Sequence, residues 1–169
     1  MSSPHEVTRV FEAALCEALQ YDPNTGIVSW RGGRRGVRPG EIAGTVGDQG
    51  YIIVRFMGRR LRAHRLAWRL HYGEWPVDRL DHRNGLQHDN RIANLRMATA
   101  AENKQNESKP RADNISGRRG VSPIHGGKFR AGIRAHGKSH HLGVFATPEE
   151  AHAAYLLAKR ELHPFAEIA

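Results

Sequence analysis

Asp81 to Asn106, DHRNGLQHDNRIANLRMATAAENKQN, is the stretch that decides the fold. Residues 77–82 before and at its start can form a short strand, and Arg83-Asn84-Gly85 ends it, because Asn and Gly tolerate the positive φ of turns. Ile92 and Leu95, three residues apart, predict a helical turn or 3₁₀ segment over residues 91–95.

A helix start follows this turn. Thr99 and Glu102 have the spacing of a capping box, in which the Thr99 side chain accepts from a first-turn N–H and Glu102 accepts from the Thr99 N–H. Asn103 then lies just inside the helix, facing back toward the strand. The predicted order is therefore strand, loop, strand or turn, helix.

Three side chains of this stretch suit the chemistry of a phosphodiester. Asp81 and Asn103 offer oxygen donors, the ligands that Mg²⁺ and Mn²⁺ prefer. His82 has an ordinary pKa near neutrality and can take a proton from water. Adjacent strand residues point to opposite faces, which would separate the two roles. Phosphodiester hydrolysis needs both a metal ion and a base, since charge on the phosphate must be neutralised and a water molecule must be deprotonated.

The stretch resembles the HNH homing-endonuclease family, the ββα-metal (His-Me finger) nucleases of phages and mobile elements. His82 matches the first His, Asn94 the middle Asn, and Asn103 the last position, as in the HNN variant. The resemblance implies one divalent ion, Mg²⁺ or Mn²⁺, with Asp81 and Asn103 as metal ligands. It also implies that His82 is the general base. In the same resemblance Asn94 is the second catalytic residue, and it would brace the loop that holds His82.

The charge of the chain favours a polyanionic partner. Lys and Arg number 26 and Asp and Glu 17, a formal net charge of +9 over 169 residues, and we expect double-stranded DNA. The length predicts one or two small domains. Cys16, the single cysteine, excludes an internal disulfide and a zinc site of paired cysteines, so no structural zinc is expected.

No apolar run approaches the roughly 20 residues of a membrane helix, and the N-terminus lacks a signal pattern. We therefore expect no membrane association and a cytoplasmic protein, in a bacterial or phage-infected host cell. The expected state is a monomer or weak dimer.

The segments before the central stretch predict helices and basic hairpins. Ser3 to Gln20 has apolar residues at helical spacing and a capping box formed by Ser3 and Glu6. Further predicted elements are a strand over 27–30, a hairpin of 51–56 and 59–63 turned at Met57-Gly58, and a helix over 64–72. His64 is predicted to be structural or phosphate-contacting. The expected phosphate contacts are Arg34 and Arg35 in a glycine-rich loop, and Arg59 and Arg60 in the hairpin.

Residues 107–117, ESKPRADNISG, predict a linker. Beyond it, three strands are predicted over 120–124, 128–136 and 138–146. Their middle strand alternates apolar with mostly cationic residues, and a helix capped by Thr147 follows. The helix would cover the apolar face of the sheet and leave the basic face for DNA.

This part resembles the DNA-binding domain of plant ethylene-response factors (AP2 type). The matching residues include Arg119-Gly120-Val121, residues 127–134 (GKFRAGIR) and Leu142-Gly143-Val144-Phe145. The resemblance implies a sheet in the major groove, with DNA contacts from Arg119, Arg130, Arg134 and Lys138, and from His140.

The sequence thus predicts an α+β protein: a ββα-metal nuclease domain, plus a small three-stranded antiparallel sheet with one packed helix. The predicted limits are 1–106 for the HNH domain, 107–117 for the linker and 118–169 for the AP2-like domain. The predicted activity is metal-dependent DNA hydrolysis, nicking one strand per active site to leave 5′-phosphate and 3′-hydroxyl ends. Two alternatives stay open: a non-catalytic, sequence-selective DNA-binding protein that retains the HNH fold, and an RNA-directed nuclease.

Overall fold

A computed structural model describes residues 4–32, 36–47, 49–107, 110 and 112–166 of the chain. It has two compact units, Met1–Ala98 and Thr99–Ala169. The first unit has these elements: α1 Pro4–Ala18, β1 Leu19–Tyr21, β2 Val28–Trp30, β3 Thr45–Val46, β4 Ile52–Phe56, β5 Arg59–Arg62, α2 Ala63–Tyr72, β6 Arg79–His82, a 3₁₀ turn Ile92–Asn94, and β7 Leu95–Ala98. The second has α3 Ala100–Asn106, β8 Val121–Ile124, β9 Lys128–Ala135, β10 Lys138–Phe145 and α4 Pro148–Leu162.

Helix α1 is shorter than its sequence pattern predicts. The helix ends at Ala18, because Leu19 begins a strand that pairs with Trp30 of β2. Phe11 and Leu15 are buried as the helical spacing predicts, whereas Val10 is 60% exposed and does not belong to the buried stripe. Ser3 and the side chain of Glu6, the predicted capping box, lie outside the described residues.

The hairpin of β4 and β5 turns where the sequence predicts. Met57 and Gly58 have φ values of 45° and 75°, and such paired positive angles match the twist of two-residue hairpins. Val54 and Phe56 of β4 face a core that also contains Trp30 and Leu66. The hairpin therefore has one apolar face against α1 and α2 and one face toward solvent.

Strands β6 and β7 form an antiparallel pair in which Asp81 lies opposite Arg96 and His82 opposite Leu95. A second apolar cluster holds this pair on α2, through Leu80 and Leu95 from the strands and Ala67 and Trp68 from the helix. The 3₁₀ turn and the strand, loop, strand order agree with the sequence pattern. This packing fixes the position at which β6 ends.

The second unit contains the predicted three-stranded antiparallel sheet, in the order β10-β9-β8. Helix α4 packs on it through Ala151, which joins Val121 and Ala131 in a small core. A capping box begins α3 at Thr99 with Glu102, as predicted. The predicted cap Thr147 begins α4, and Glu150 completes a capping box there. The contacts of α3 place it in this unit, whereas the sequence pattern assigned it to the first domain. The predicted domain limits at residues 106 and 117 stay predictions.

In the part of the chain that the structure describes, no helix combines the length and the apolar character needed to span a bilayer.

Candidate active site

The loop after β6 is held by hydrogen bonds to Asn94. The Asn94 Nδ2 group donates to the Asp89 carbonyl oxygen at 2.7 Å and to Asn84 Oδ1 at 3.0 Å. The Asn94 Oδ1 atom accepts from the Asn84 backbone N–H at 3.0 Å, and the Asn94 carbonyl oxygen accepts from the Arg83 N–H at 2.9 Å. One buried amide thus joins both ends of the loop, and the role at the catalytic site that the resemblance implies for Asn94 stays a prediction.

Asp81 lies near the end of β6 in an ion pair. Its Oδ2 atom accepts from Arg96 Nη2 at 3.0 Å and from Arg96 Nε at 3.1 Å. The two side chains are only 8% and 13% exposed. The cross-strand register that places Arg96 opposite Asp81 explains this pair, which the sequence analysis did not anticipate.

His82 ends β6 inside a group of aromatic rings. Its Nε2 atom lies 3.1 Å from Asn90 Oδ1. The His64 ring is edge-on to it at a centroid distance of 5.1 Å, and the Tyr51 ring lies at 5.9 Å. Burial lowers the pKa of His82, although its hydrogen bond to Asn90 and the charge of Asp81 act in the opposite direction. The side chain is therefore neutral at physiological pH, as a general base must be.

His64, Asn90 and Tyr51 are neighbours of His82 that the sequence did not assign to the site. Burial, then repulsion from a protonated His82 and from nearby arginines, lowers the pKa of His64 to about 3, so that it is uncharged at neutral pH. Residue spacing gives no signal for the contacts of His64 and Asn90, because His64 lies in the first turn of α2 and Asn90 lies in the loop between β6 and the 3₁₀ turn. The approach of His64 to His82 depends on the packing of α2 against β6.

Asn103, the second predicted metal ligand, lies in α3 of the second unit. It is half-buried, and its backbone N–H donates to the Thr99 carbonyl oxygen at 3.0 Å. Asp81, His82 and Asn94 are brought together in the first unit. Among the described residues, no group of three or more His, Cys, Asp or Glu side chains could hold a metal ion.

The basic hairpin presents its arginines in two directions. Arg60 pairs with Arg55, and Arg62 with Ile53, on the face of the sheet opposite the buried Val54 and Phe56. Arg62 also stacks its guanidinium on the Tyr51 ring at 4.7 Å. Arg59 instead lies over the Phe11 ring at 4.4 Å. Of the predicted phosphate contacts, Arg60 is thus on the outer face and Arg59 on the side of α1. Arg34 and Arg35 lie outside the described residues.

The sheet of the second unit separates its cations by face. Arg130 and Arg134 are exposed and alternate with buried Ala131 and Ile133, so they lie on the face away from α4. Lys138 is exposed at the start of β10, and its register partner is Ala135 on the helix side. His141, rather than the predicted His140, is in register with Gly132 on the arginine face.

Arg119 has a position that the sequence did not predict. Its Nη1 atom donates to the Glu107 carboxylate at 3.0 Å, and the side chain is only 20% exposed. A second cation binds the same residue, because Lys159 Nζ donates to the Glu107 carbonyl oxygen at 3.1 Å. Arg119 therefore binds the chain at Glu107. The contact with DNA that the resemblance implies for Arg119 stays a prediction.

A buried histidine beside a carboxylate at a strand end offers groups that phosphodiester hydrolysis can use. Comparison with known families agrees with this chemistry: residues 61–105 match the family model described as HNH endonuclease. This segment, less than half of the chain, includes Asp81, His82, Asn94 and Asn103, and the match supports a nuclease. No curated protein and no solved structure matches the chain.

Proposed function

We propose that the protein is a metal-dependent DNA endonuclease that nicks one strand per active site. The observation that carries the proposal is the position of the buried His82 next to Asp81 at the end of β6, inside the segment that matches the HNH endonuclease family. Proteins of that family act on phosphodiester bonds with a divalent metal ion. The sequence pattern assigns the base to His82 and the brace of its loop to Asn94.

The donor chemistry of Asp81 and Asn103 fits Mg²⁺ or Mn²⁺. A carboxylate and an amide carbonyl are hard oxygen ligands, and these ions commonly use one or two protein ligands with waters and phosphate oxygens. When bound, the ion would neutralise charge on the scissile phosphate and on the leaving oxygen. Arg96 adds a fixed positive charge next to Asp81.

His82 supplies the proton transfer. A water molecule attacks phosphorus as the neutral imidazole takes one of its protons, which forms a new P–O bond and breaks the bond to the 3′ oxygen. The 3′ oxygen leaves with a proton from solvent, so the products carry 5′-phosphate and 3′-hydroxyl ends. The low pKa of His82 keeps this group unprotonated and ready at neutral pH.

The basic faces of the two sheets favour a nucleic acid as the substrate, and the AP2-like pattern of the second sheet favours DNA. Arg60 and Arg62 lie on the outer face of the hairpin, whose Tyr51 also contacts His82. Arg130 and Arg134 lie on the open face of the second sheet, where an AP2-like module would contact DNA. Cations on such faces can bind phosphates without reading bases.

A second candidate is a DNA-binding protein without catalysis. The Asp81–Arg96 ion pair favours it, because the guanidinium already binds the carboxylate that the first proposal assigns to a metal. A supercoiled-plasmid assay with Mg²⁺, Mn²⁺ or EDTA separates the two. Metal-dependent relaxed circle from wild type but not from His82→Ala supports the nuclease. Intact plasmid with a retained mobility shift supports the binding protein, and cleavage of RNA alone would contradict both.

A further inference from the structure

Asn90 is a polar residue in an apolar position. It is only 1% exposed, and it is one of the largest fully buried side chains. Its Oδ1 atom pairs with His82 Nε2 at 3.1 Å. Its Nδ2 atom is buried, and among the described residues it has no hydrogen-bond partner. An unpaired buried donor costs about 1–3 kcal/mol, so a leucine of similar size would fill this space at lower cost.

The main chain at Asn90 is fixed from the N-terminal side of the unit. The Tyr21 hydroxyl donates to the Asn90 carbonyl oxygen at 2.8 Å, across 69 positions of sequence. The Ile92 N–H donates to the Pro23 carbonyl oxygen at 3.2 Å. The loop from residue 22 to 26 thus packs against the segment that carries Asn90, and the side chain has a defined direction.

The contact with His82 determines the arrangement of protons on the imidazole. An amide oxygen can only accept a hydrogen bond, so the Nε2 atom of His82 must carry the hydrogen. In a neutral ring the lone pair is then on Nδ1. The edge-on His64 ring, 5.1 Å away at 87°, packs against the same imidazole and restricts its rotation.

We propose that Asn90 is a positioning residue that holds His82 in the Nε2–H tautomer and so makes Nδ1 the atom that accepts the proton from water. The role of His82 as base rests on the proposed nuclease function. The tautomer itself does not, because it follows from the contact between His82 and Asn90. The Nδ2 atom of Asn90, left without a partner, then lowers stability, and this is the cost of placing an amide oxygen beside His82.

Two variants of Asn90 separate positioning from packing. Asn90→Leu retains the size and removes the acceptor, whereas Asn90→Asp retains an acceptor at the same distance from the main chain. We expect Asn90→Leu to lower kcat roughly 10- to 100-fold, as is usual when the orienting partner of a functional histidine is lost. KM and the DNA mobility shift should be unchanged, and Asn90→Asp should recover part of kcat.

The tautomer can be measured without activity. Nitrogen-15 NMR of the histidine side chains, on the metal-free full-length protein at neutral pH, with His82 assigned by its absence in His82→Ala, should give the Nε2–H pattern in wild type and a mixture in Asn90→Leu. An Nδ1–H tautomer in wild type overturns the proposal, as does an unchanged kcat in Asn90→Leu. If wild type does not cleave DNA but His82 is the Nε2–H tautomer, the nuclease function fails and the Asn90 assignment stands.

Discussion

Gly26 occupies a position that no other residue should fill, and replacing it with alanine tests the support behind His82. Its φ is +76°, and an added Cβ would lie 2.4 Å from the Arg91 backbone nitrogen and 2.6 Å from the Asn90 carbonyl carbon. Both neighbours are main chain and cannot rotate away. The left-handed conformation costs about 1–2 kcal/mol for alanine, and forcing extra atoms into packed structure costs about 1–3 kcal/mol more. Gly26→Ala should therefore lower the free energy of unfolding by roughly 2–5 kcal/mol.

Gly58 provides the matched control. Its φ is +75°, but an added Cβ would meet nothing within 4 Å, so Gly58→Ala should cost only the about 1–2 kcal/mol of the backbone conformation. Denaturant unfolding followed by tryptophan fluorescence measures both, since Trp30, Trp68 and Trp75 all lie in the first unit. Gly26→Ala should also lower DNA cleavage, because it displaces the main chain at Asn90. Equal stability losses in the two variants would refute the close approach at Gly26.

Three further predictions follow from charges. Arg60→Ala should weaken DNA binding and reduce its salt dependence by about one phosphate contact, whereas Arg59→Ala, whose guanidinium lies over Phe11, should change stability more than the salt slope measured by fluorescence anisotropy. Arg96→Ala should destabilise the fold by about 1.5–3 kcal/mol, because it removes two charge-assisted hydrogen bonds from a buried carboxylate; Arg91→Ala, whose side chain is 54% exposed, should cost less on the same denaturant curve. The pKa of His64 in the folded protein is lowered to about 3, whereas in the unfolded chain this pKa has its ordinary value of about 6.5. Between these two pH values His64 binds a proton only in the unfolded chain. Stability should therefore fall with decreasing pH in that window, by at most about 1.4 kcal/mol per pH unit for this group, and His64→Leu should flatten the slope between pH 7 and pH 5.

Local chemistry made much of the fold predictable from the sequence. The capping box of Thr99 with Glu102 and the turn at Met57-Gly58 are confirmed, because each depends on residues within a few positions of one another. The C-terminal end of α1 was wrong, because helical spacing continues through Leu19, whereas pairing with Trp30 makes that residue a strand. A long-range partner outweighs a local preference there.

The candidate site was predictable in its residue types and not in its surroundings. The spacing of Asp81, His82 and Asn94 identifies a recognisable pattern, and the structure brings these three residues together in one unit. The partner of Asp81 is Arg96, which only the strand register determines. The DNA contact of Arg119 was implied by the resemblance to the AP2-type domain, whereas its ion pair with Glu107 depends on tertiary packing.

The histidine that the motif identifies depends on residues outside the motif. Its ring contacts His64 and Tyr51, and Asn90, which binds its Nε2 atom, is held by the Tyr21 hydroxyl and by the turn ending at Gly26. Tyr21, Gly26 and Tyr51 all precede residue 61, where the match to the HNH endonuclease family begins. A catalytic base works when its orientation is fixed before the substrate arrives. The N-terminal strands of the first unit therefore help to orient His82, the base that we propose, in addition to any contact that their arginines make with DNA.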